Sequence, residues 1–316
     1  MNFQQLRSVR EAVRRGFNLT EVAAALHTSQ PGVSRQIREL EDELGVEIFV
    51  RVGKRLTGLT PPGVAVLPWV EKLLLDAESL QRASEEFTQG STGVLSVAAT
   101  HSQARYALPH AVRDFRATHP HVQLQLHQGS PEQISQMLLT GVADIGIASH
   151  VLAESPGLVA LPCYRWTHAI VVPEGHALLD GPVTLERIAD YPVITYDTGL
   201  TGRNSIDGAF ARAGLNPEIV LTAMDADVIK TYVDLDLGVG ILASIAMDED
   251  HQSHPRLRAI DARHLFPINT TSVAVRRCGL LRGFAYEFVQ TFASHLTPDV
   301  VKAAQQAPAD TQQAPL

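Results

Sequence analysis

The sequence predicts an α/β protein made of a small helical head, a long connecting helix and a larger body of two lobes. Three observations support this fold class. Residues 18–45 have the pattern of two short helices joined by a tight turn, and an apolar stretch with heptad spacing follows from residue 61. Strands and helices then alternate from residue 94 to about residue 296. A chain of 316 residues is long enough for two or three domains.

The helix pair in the head has recognisable start and stop signals. Asn18, three residues before a glutamate, resembles a capping box at the start of the first helix. Thr28 or Ser29 can cap the second helix, and Pro31 falls in its first turn, where a missing N–H costs little. Gly45 is placed to end that helix.

The second helix has an apolar face and a polar, basic face. The apolar stripe consists of Val33, Ile37, Leu40 and Leu44. The residues that we expect to face DNA are Thr28, Ser29, Gln30, Pro31, Ser34, Arg35 and Arg38. Gln and Arg can read base edges through paired hydrogen bonds, and Ser and Arg can hold phosphates. Taken alone, the pattern is equally compatible with an ordinary amphipathic helix whose basic face is solvated.

A short hairpin with Gly53 at its tip is predicted over residues 49–56. Arg51, Lys54 and Arg55 would then lie on the DNA backbone, as a wing does. Residues 1–60 carry nine basic and seven acidic side chains, whereas the rest of the chain carries 17 and 27. The head is therefore the basic end of an acidic chain, which favours DNA binding by the head and not by the body.

A long helix is predicted from Pro61 to about Phe87, and Pro68 is expected to delay its regular part. Its heptad seam consists of Val66, Val70, Leu73, Ala77 and Leu80. We interpret this seam as a dimerisation surface; the alternative is that the helix packs on its own domain. The resulting boundaries are a head at residues 1–59, a linker at 60–90, an effector-binding body at 91–302 and a disordered tail at 303–316.

The body reads as repeated β-α-β units, which predicts mainly parallel sheets covered by helices. The predicted strands are 94–99, 122–127, 143–148, 169–172, 193–196, 219–222, 239–243 and 271–275, and the predicted helices are 106–118, 131–140, 205–213 and 281–296. We assign residues 91–163 and 268–302 to lobe I, and residues 164–267 to lobe II.

Polar side chains follow several of these strands, at the edge where α/β sheets bind ligands. The predicted effector-binding residues are Thr100, Ser102, Gln103, Ser149, Trp166, Thr198 and Thr201. Hydroxyls, an amide and helix N-termini would hold a small anion without a buried counter-charge. Each Ser or Thr alone is explained as well by a helix cap, so the prediction depends on their convergence in one cleft.

Motifs of other protein classes are missing from the sequence. It contains no HExxH, no Cys/His cluster and no Gly-x-Ser-x-Gly elbow, which argues against an enzyme and against a metal or cofactor. The N-terminus does not resemble an export signal, and no apolar run approaches the ~20 residues of a membrane span. A secreted solute-binding protein is therefore disfavoured. With Cys163 and Cys278 outside any metal spacing, the cytoplasm is the expected location.

The segment Thr28-Ser29-Gln30-Pro31-Gly32-Val33-Ser34-Arg35-Gln36-Ile37, with this order of elements, resembles the LysR-type transcriptional regulators. The body is most similar to the CysB branch, the activators of cysteine biosynthesis and sulfur assimilation. The segments that resemble this branch are 100–109, 127–131, 161–166, 201–203 and 225–232. The resemblance implies a winged helix-turn-helix, a linker helix and a two-lobed domain like a periplasmic binding protein.

The resemblance also implies partners: promoter DNA, a homodimer or homotetramer, and an acetylserine-like or sulfate-like effector. An activator of this kind can also contact RNA polymerase. Ser102 and Ser149 stand where the branch usually has threonine, and Asp197-Thr198 departs from its pattern and is expected to place an acid near the cleft. Control of sulfonate or other sulfur-source genes is the alternative within the family.

Overall fold

The computed structural model describes residues 1–53, 55–89, 92–149, 155, 157–247 and 254–307. The chain divides into two compact units, Met1–Phe87 and Thr88–Leu316. Among the described helices, none is both long enough and apolar enough to cross a membrane.

The first unit contains three short helices, a hairpin and a long helix. They are α1 (Phe3–Arg14), α2 (Leu19–Ala25), α3 (Gln30–Leu44), β1 (Phe49–Val52), β2 (Arg55–Leu59) and α4 (Pro61–Gln89). The predicted caps are confirmed: the Asn18 side chain accepts from the second and third N–H groups of α2, and Ser29 caps α3. Gly45 ends α3 with a φ of 68°, a conformation that glycine adopts at little cost.

The apolar stripe of α3 is confirmed for three of its four residues. Val33, Ile37 and Leu40 are fully buried in the core of the first unit. Leu44 is 41% exposed, so its assignment to the stripe was wrong. Leu44 is the last residue of α3, and Gly45 turns the chain directly after it, so Leu44 lies at the end of the helix and not within the buried stripe.

Helix α4 starts at Pro61, without the delay expected from Pro68, which lies inside the helix. The start is anchored on the head: the Thr60 hydroxyl accepts the Gly63 N–H at 3.0 Å. A β-carbon on Gly63 would come within 2.0 Å of the Ile48 carbonyl oxygen, so only glycine allows this close approach. These contacts fix the first turn of α4 on the head, on the N-terminal side of Pro68.

The predicted seam of α4 divides into two parts. Val70 is buried in the core of the head, together with Leu74, which lies outside the predicted seam. Leu73 and Leu80 are 41% and 74% exposed. The alternative of packing on its own domain therefore holds for the first turns of the helix, and the exposed part remains a predicted dimerisation surface.

The second unit consists of two five-stranded sheets with helices on their faces. Its strands are β3 (Gly93–Ala99), β4 (Val122–Gln128), β5 (Ile145–Ser149), β6 (Leu158–Trp166), β7 (His168–Pro173), β8 (Val193–Tyr196), β9 (Ile219–Ala223), β10 (Val239–Ala243), β11 (Leu257–Asp261) and β12 (Asn269–Arg276). Its helices are α5 (Leu108–Thr118), α6 (Pro131–Leu139), α7 (Leu185–Ala189), α8 (Thr201–Arg212), α9 (Ala226–Asp234), α10 (Gly283–Phe292) and α11 (Pro298–Gln306), and a π-helical turn (Gln103–Ala107) precedes α5.

Lobe I has the strand order β4-β3-β5-β12-β6, and lobe II has the order β11-β7-β10-β8-β9. The prediction of mainly parallel sheets was wrong, because two of the four pairings in each sheet are antiparallel. The antiparallel pairs arise where the chain crosses between lobes, since β7 and β12 enter each sheet from the other lobe. Strand β6 runs to Trp166, so the first crossing lies three residues later than the predicted boundary at 163/164.

The C-terminal segment is ordered further than predicted. Helix α11 continues to Gln306, which contradicts a disordered tail from residue 303. Gln305 is buried: its side chain accepts from the Tyr286 hydroxyl at 3.0 Å and donates to the carbonyls of Arg276 and Gly279. These contacts hold α11 on lobe I. The remainder of the predicted tail, 308–316, lies outside the described residues.

Candidate functional site

The polar face of α3 is accessible on the head. Gln30, Pro31, Arg35 and Arg38 are exposed, as are Thr28 and Ser29 at the start of the helix, whereas Ser34 is half-buried. The guanidinium of Arg35 pairs with Glu39 one turn later at 2.7 Å, with 81% of the arginine side chain exposed. An exposed pair of this kind contributes little to stability. The Arg35 side chain can therefore exchange that partner for a phosphate or a base at little cost.

The hairpin confirms the predicted wing, with Gly53 at its tip at a φ of 62°. Arg55 is exposed and lines a depression together with Gln30, Asn18 and Thr20. Wing and α3 thus present polar side chains to one shared surface. Lys54, the third basic residue of the predicted wing, lies outside the described residues.

Arg51 has a different environment from the one predicted. Its guanidinium pairs with the buried carboxylate of Glu41 on α3, and only 24% of the arginine side chain is exposed. The same carboxylate accepts the backbone N–H groups of Ile48 and Phe49 at 2.9 and 3.1 Å. Arg51 is therefore corrected from a DNA contact to a residue that joins α3 to the hairpin.

A cavity of about 310 Å³ lies between the two lobes at the ends of their central strands. Six of the seven predicted effector-binding residues line it: Thr100, Ser102, Gln103, Ser149, Trp166 and Thr201. Thr198 does not line the cavity, so its assignment was wrong; it lies exposed in the turn before α8. The acidic side chain of the cavity is that of Asp225 and not of Asp197.

Ser149 at the end of β5 is the centre of a hydrogen-bonded network in this cavity. Its hydroxyl accepts the Trp166 indole N–H at 3.1 Å and lies 3.4 Å from the Thr271 hydroxyl. Thr271 in turn accepts from the Gln103 amide at 3.2 Å. The Thr201 hydroxyl, from lobe II, donates to the Ser149 carbonyl at 3.1 Å. The network fixes these groups around one end of the cavity.

The N-terminus of helix α8 lies at that end of the cavity. Helix α8 begins there with Thr201 and Gly202, and its N-cap residue Leu200 supplies no side-chain acceptor. A β-carbon at Gly202 would lie 3.0 Å from the Tyr196 ring and 3.3 Å from His168, so the backbone packs closely. Backbone N–H groups at the start of a helix favour an anion.

The cavity has further lining residues that sequence analysis did not identify. They are His101, Gln128, Gly129, Pro131, Gln133, Tyr196, Leu200, Gly202, Met224, Asp225 and Ala243. The signal that could have found part of this group is the capping box Ser130-x-x-Gln133, because it marks a helix start directly after a strand. Met224 and Asp225 could have been found in the same way, since they follow β9 and Asp225 caps α9.

A second set of polar contacts joins the lobes beside the cavity. Tyr106, on the π-helical turn of lobe I, is buried in the core of lobe II. Its hydroxyl donates to Asp227 at 2.5 Å, and Arg105 lies 3.3 Å from the same carboxylate. Lys230, fully buried, pairs with Asp227 at 2.9 Å and donates to the Ala246 carbonyl. We call the four side chains of Arg105, Tyr106, Asp227 and Lys230 the interlobe clasp.

Two pKa shifts accompany this architecture. Burial raises the pKa of Asp227, but hydrogen bonds from Tyr106 and Lys230 outweigh it and hold the pKa at about 2. Behind the cavity, His168 is buried between Trp166 and Phe266, with ring centroids 5.1 and 5.2 Å away. That burial lowers its pKa to about 4, so the imidazole is neutral at pH 7.

Two family models match the chain. Residues 3–64 match the bacterial regulatory helix-turn-helix protein model of the lysR family, and residues 88–297 match the LysR substrate binding domain. Together these regions include the α3 face, the wing and the interlobe cavity.

Individual relatives extend the similarity to almost the whole chain. The HTH-type transcriptional regulator SsuR of Burkholderia cenocepacia is 56% identical over 297 residues, covering 94% of this chain and 96% of that protein. The regulator CysB of the same organism is 49% identical over 312 residues, covering 98% and 99%. The crystal structure of the cofactor-binding domain of the Cbl transcriptional regulator superposes with a TM-score of 0.66 at 44% identity, covering 70% of this chain and 96% of that domain. The chain therefore belongs to the LysR family of bacterial transcriptional regulators, within the group that contains CysB, Cbl and SsuR.

Proposed function

We propose that this regulator controls genes of sulfur assimilation and cysteine biosynthesis, and that a small anionic or zwitterionic metabolite bound between the lobes sets its activity. The observation that carries the proposal is the convergence of Thr100, Ser149 and Thr201 on one end of the cavity. Hydroxyls from both lobes with helix N-termini suit an acetylserine-like or sulfate-like anion.

The head supplies the proposed contact with promoter DNA in the cytoplasm. Gln30, Arg35 and Arg38 face away from the buried stripe of α3, which is the geometry of a recognition helix in the major groove. Arg55 on the wing is placed for a phosphate of the adjoining backbone. Ion pairs with phosphates make binding fall steeply with salt concentration.

Ligand binding would act through the relative position of the lobes. A ligand shifts such an equilibrium only by its differential affinity for the two arrangements. Because Ser149 and Thr201 come from different lobes, a ligand that contacts both favours the closed arrangement. In a dimer or tetramer joined by α4, closure would alter the angle between the heads and, in an activator, their contact with RNA polymerase.

The test is a mobility-shift titration on DNA upstream of sulfur-assimilation genes, with and without acetylserines, sulfate, thiosulfate and adenosine phosphosulfate. Arg35→Ala and Arg38→Ala should each weaken operator binding by about 1–3 kcal/mol if the residue reads a base. Unchanged affinity in the double variant would refute the α3 assignment. Selective binding to promoters of sulfonate or other sulfur-source genes would favour that alternative regulon.

The ligand site is tested separately by calorimetry. Thr100→Val keeps the shape of the side chain and removes its hydroxyl, so ligand affinity should fall while folding and DNA binding without ligand persist. If Thr100→Val and Gln103→Ala both bind the ligand as tightly as the wild type does, the effector site lies elsewhere.

A further inference from the structure

The basic side chains on the surface formed by α3 and the wing have different environments. Arg38 and Arg55 are exposed, and neither has an acidic partner among the described residues. Arg35 pairs with Glu39, which lies one turn later on the same helix. Glu39 therefore places a negative charge on a surface that is proposed to approach DNA. A basic residue that only attracts phosphates gains nothing from such a partner.

Glu39 is also held from a second element, helix α1. Gln5 is buried, and its side-chain oxygen accepts the Asn2 N–H at 2.9 Å in the capping box of α1. The amide nitrogen of Gln5 is therefore left to donate, and it lies 3.3 Å from one Glu39 oxygen. The other Glu39 oxygen accepts the Arg35 Nε–H at 2.7 Å. A buried, capped amide thus fixes the carboxylate that holds Arg35.

The charge of Glu39 follows from the same contacts. The hydrogen bond from Arg35, followed by the one from Gln5, lowers the pKa of the Glu39 carboxyl below its ordinary value. Glu39 is therefore ionised at pH 7, and the Arg35–Glu39 pair carries no net charge.

The pair leaves the end of the Arg35 guanidinium free. Glu39 accepts from Nε, and no other group in the described part of the chain hydrogen-bonds to Nη1 or Nη2. These two nitrogens form a planar fork of donors. In the major groove, guanine presents two neighbouring acceptors, O6 and N7, whereas the other three bases present at most one acceptor each. The free fork therefore matches the edge of a guanine.

The carboxylate of Glu39 makes a phosphate a poor alternative for this fork. A phosphate bound to Nη1 and Nη2 would bring a full negative charge close to Glu39, and the two like charges would repel each other. Arg35 would have to leave Glu39 to avoid this repulsion. The edge of a guanine carries only partial charges, so Arg35 can bind it with the ion pair intact.

We propose that Arg35 reads a guanine in the major groove, and that Glu39, anchored by Gln5, positions Arg35 for this base. The proposal rests on the proposed function, since it assumes that α3 contacts DNA. It adds the base that is recognised and a second residue that determines specificity.

The experiment is a selection of bound duplexes from a library of random DNA sequences by the full-length protein, followed by sequencing. The motif selected by the wild type should contain a G·C pair whose replacement weakens binding by about five- to 150-fold. Arg35→Lys keeps the positive charge and loses the fork, so this preference should disappear while the preferences at other positions persist. Arg38→Lys, the same change one turn later on α3, is the control and should keep this G·C preference.

Variants of Glu39 separate position from charge. Glu39→Ala removes both the acceptor and the charge, so the guanine preference should fall several-fold. Glu39→Gln keeps an oxygen that can accept from Nε, so it should retain most of the preference.

Binding to a duplex without the selected motif provides a second readout for Glu39. Both Glu39 variants should bind it several-fold more tightly than the wild type, with a salt dependence steeper by about one phosphate contact. The steeper dependence should be absent when Arg35 is also replaced by Ala. Asp42→Asn is the control: Asp42 is an exposed acid on α3 without a cationic partner among the described residues, and its replacement should leave the guanine preference unchanged.

The outcomes distinguish this proposal from the proposed function. If Arg35→Ala weakens binding but Arg35→Lys selects the same motif as the wild type, Arg35 holds a phosphate; the guanine proposal is refuted and the α3 assignment stands. If Glu39→Ala changes neither the guanine preference nor the salt dependence, Glu39 does not position Arg35 and the proposal is also refuted. If Arg35→Ala/Arg38→Ala binds the selected DNA as tightly as the wild type does, both are refuted.

Discussion

Glu41 shows how one buried carboxylate organises the head. It is 7% exposed, yet it accepts two backbone N–H groups and the guanidinium of Arg51. Hydrogen bonds to a charged group are stronger than neutral ones, and removing one partner leaves a buried charge unsatisfied. Arg51 and Arg55, four positions apart on one hairpin, therefore have different roles.

Arg51→Ala should lower the stability of the head by about 1–3 kcal/mol, because Glu41 loses its cationic partner. Arg55→Ala should leave stability within about 0.5 kcal/mol, weaken DNA binding and reduce its salt dependence by about one phosphate contact. Denaturant unfolding and DNA titrations at several salt concentrations measure both effects. A stable Arg51→Ala variant with weak DNA binding would reverse the two roles.

His168 should make the stability of the body depend on pH. In the folded protein its pKa is about 4, whereas the unfolded chain has the ordinary value of about 6.5, so the unfolded state binds the proton first. Its contribution is complete above about pH 6.5 and is lost as pH falls toward 4, by at most about 3 kcal/mol. The urea midpoint of the wild type should fall more over this range than that of His168→Phe. If the urea midpoints of both proteins fall equally with pH, the pKa of His168 is not lowered in the folded protein.

At the scale of elements, α4 combines two surfaces on one helix. Val70 and Leu74 are buried in the head, whereas Trp69, Leu73 and Leu80 are 66%, 41% and 74% exposed. The three exposed residues lie at steps of four and seven, so they form one stripe. An exposed apolar stripe on a long helix is a surface that a second helix can cover.

Replacing both Leu73 and Leu80 by Asp should yield monomers that bind DNA poorly, because two charges would be buried in a helix–helix contact. The matched control is Val64→Asp: Val64 is 60% exposed and lies nine residues from Leu73, on the opposite side of the helix. Light scattering reports the assembly. A double variant that remains fully oligomeric would place the dimer contact on another element.

At the scale of the whole molecule, the interlobe clasp joins residues more than 100 positions apart within the second unit. Tyr106 reaches from lobe I into the core of lobe II, where Asp227 and Lys230 hold its hydroxyl end. The nitrogen of Lys230 also lies 5.2 Å from the Tyr106 ring centroid. Opening the lobes would separate Tyr106 from both partners, so the clasp favours the closed arrangement even without ligand.

Tyr106→Phe removes one hydrogen bond to a charged group and keeps the ring in its apolar site, which should favour opening by about 1–2 kcal/mol. Amide hydrogen exchange should become roughly tenfold faster in residues 103–107 and 226–234, and ligand affinity should fall. Tyr232→Phe is the control, because Tyr232 is exposed on α9, the helix that carries Asp227 and Lys230. Because the pKa of Asp227 is about 2, the clasp should persist above about pH 4 and be lost as pH falls through 2. Unchanged exchange in Tyr106→Phe would show that the clasp does not restrain the lobes.

The sequence alone determined the features that depend on neighbouring residues. The caps at Asn18 and Ser29 and the stop at Gly45 depend on local hydrogen bonds, and each appears where it was predicted. Strands with an apolar pattern, such as β8 and β10, were placed to the residue. Five cleft residues, Thr100, Ser102, Gln103, Ser149 and Thr201, followed from the ends of predicted strands, because ligands bind there in α/β sheets. Trp166 did not, because no strand was predicted before it.

Only the tertiary structure decided the features that depend on distant partners. Strand β6, with Pro162 and Arg165, lacks a strand pattern and is held by its pairing with β12. Arg51 has the same basic side chain as Arg55, and its role follows from the position of Glu41 on another element. Tyr106 and Asp227 meet only because the chain crosses twice between the lobes. Periodicity and capping record interactions within a few residues, whereas such contacts are selected by the packing of the whole chain.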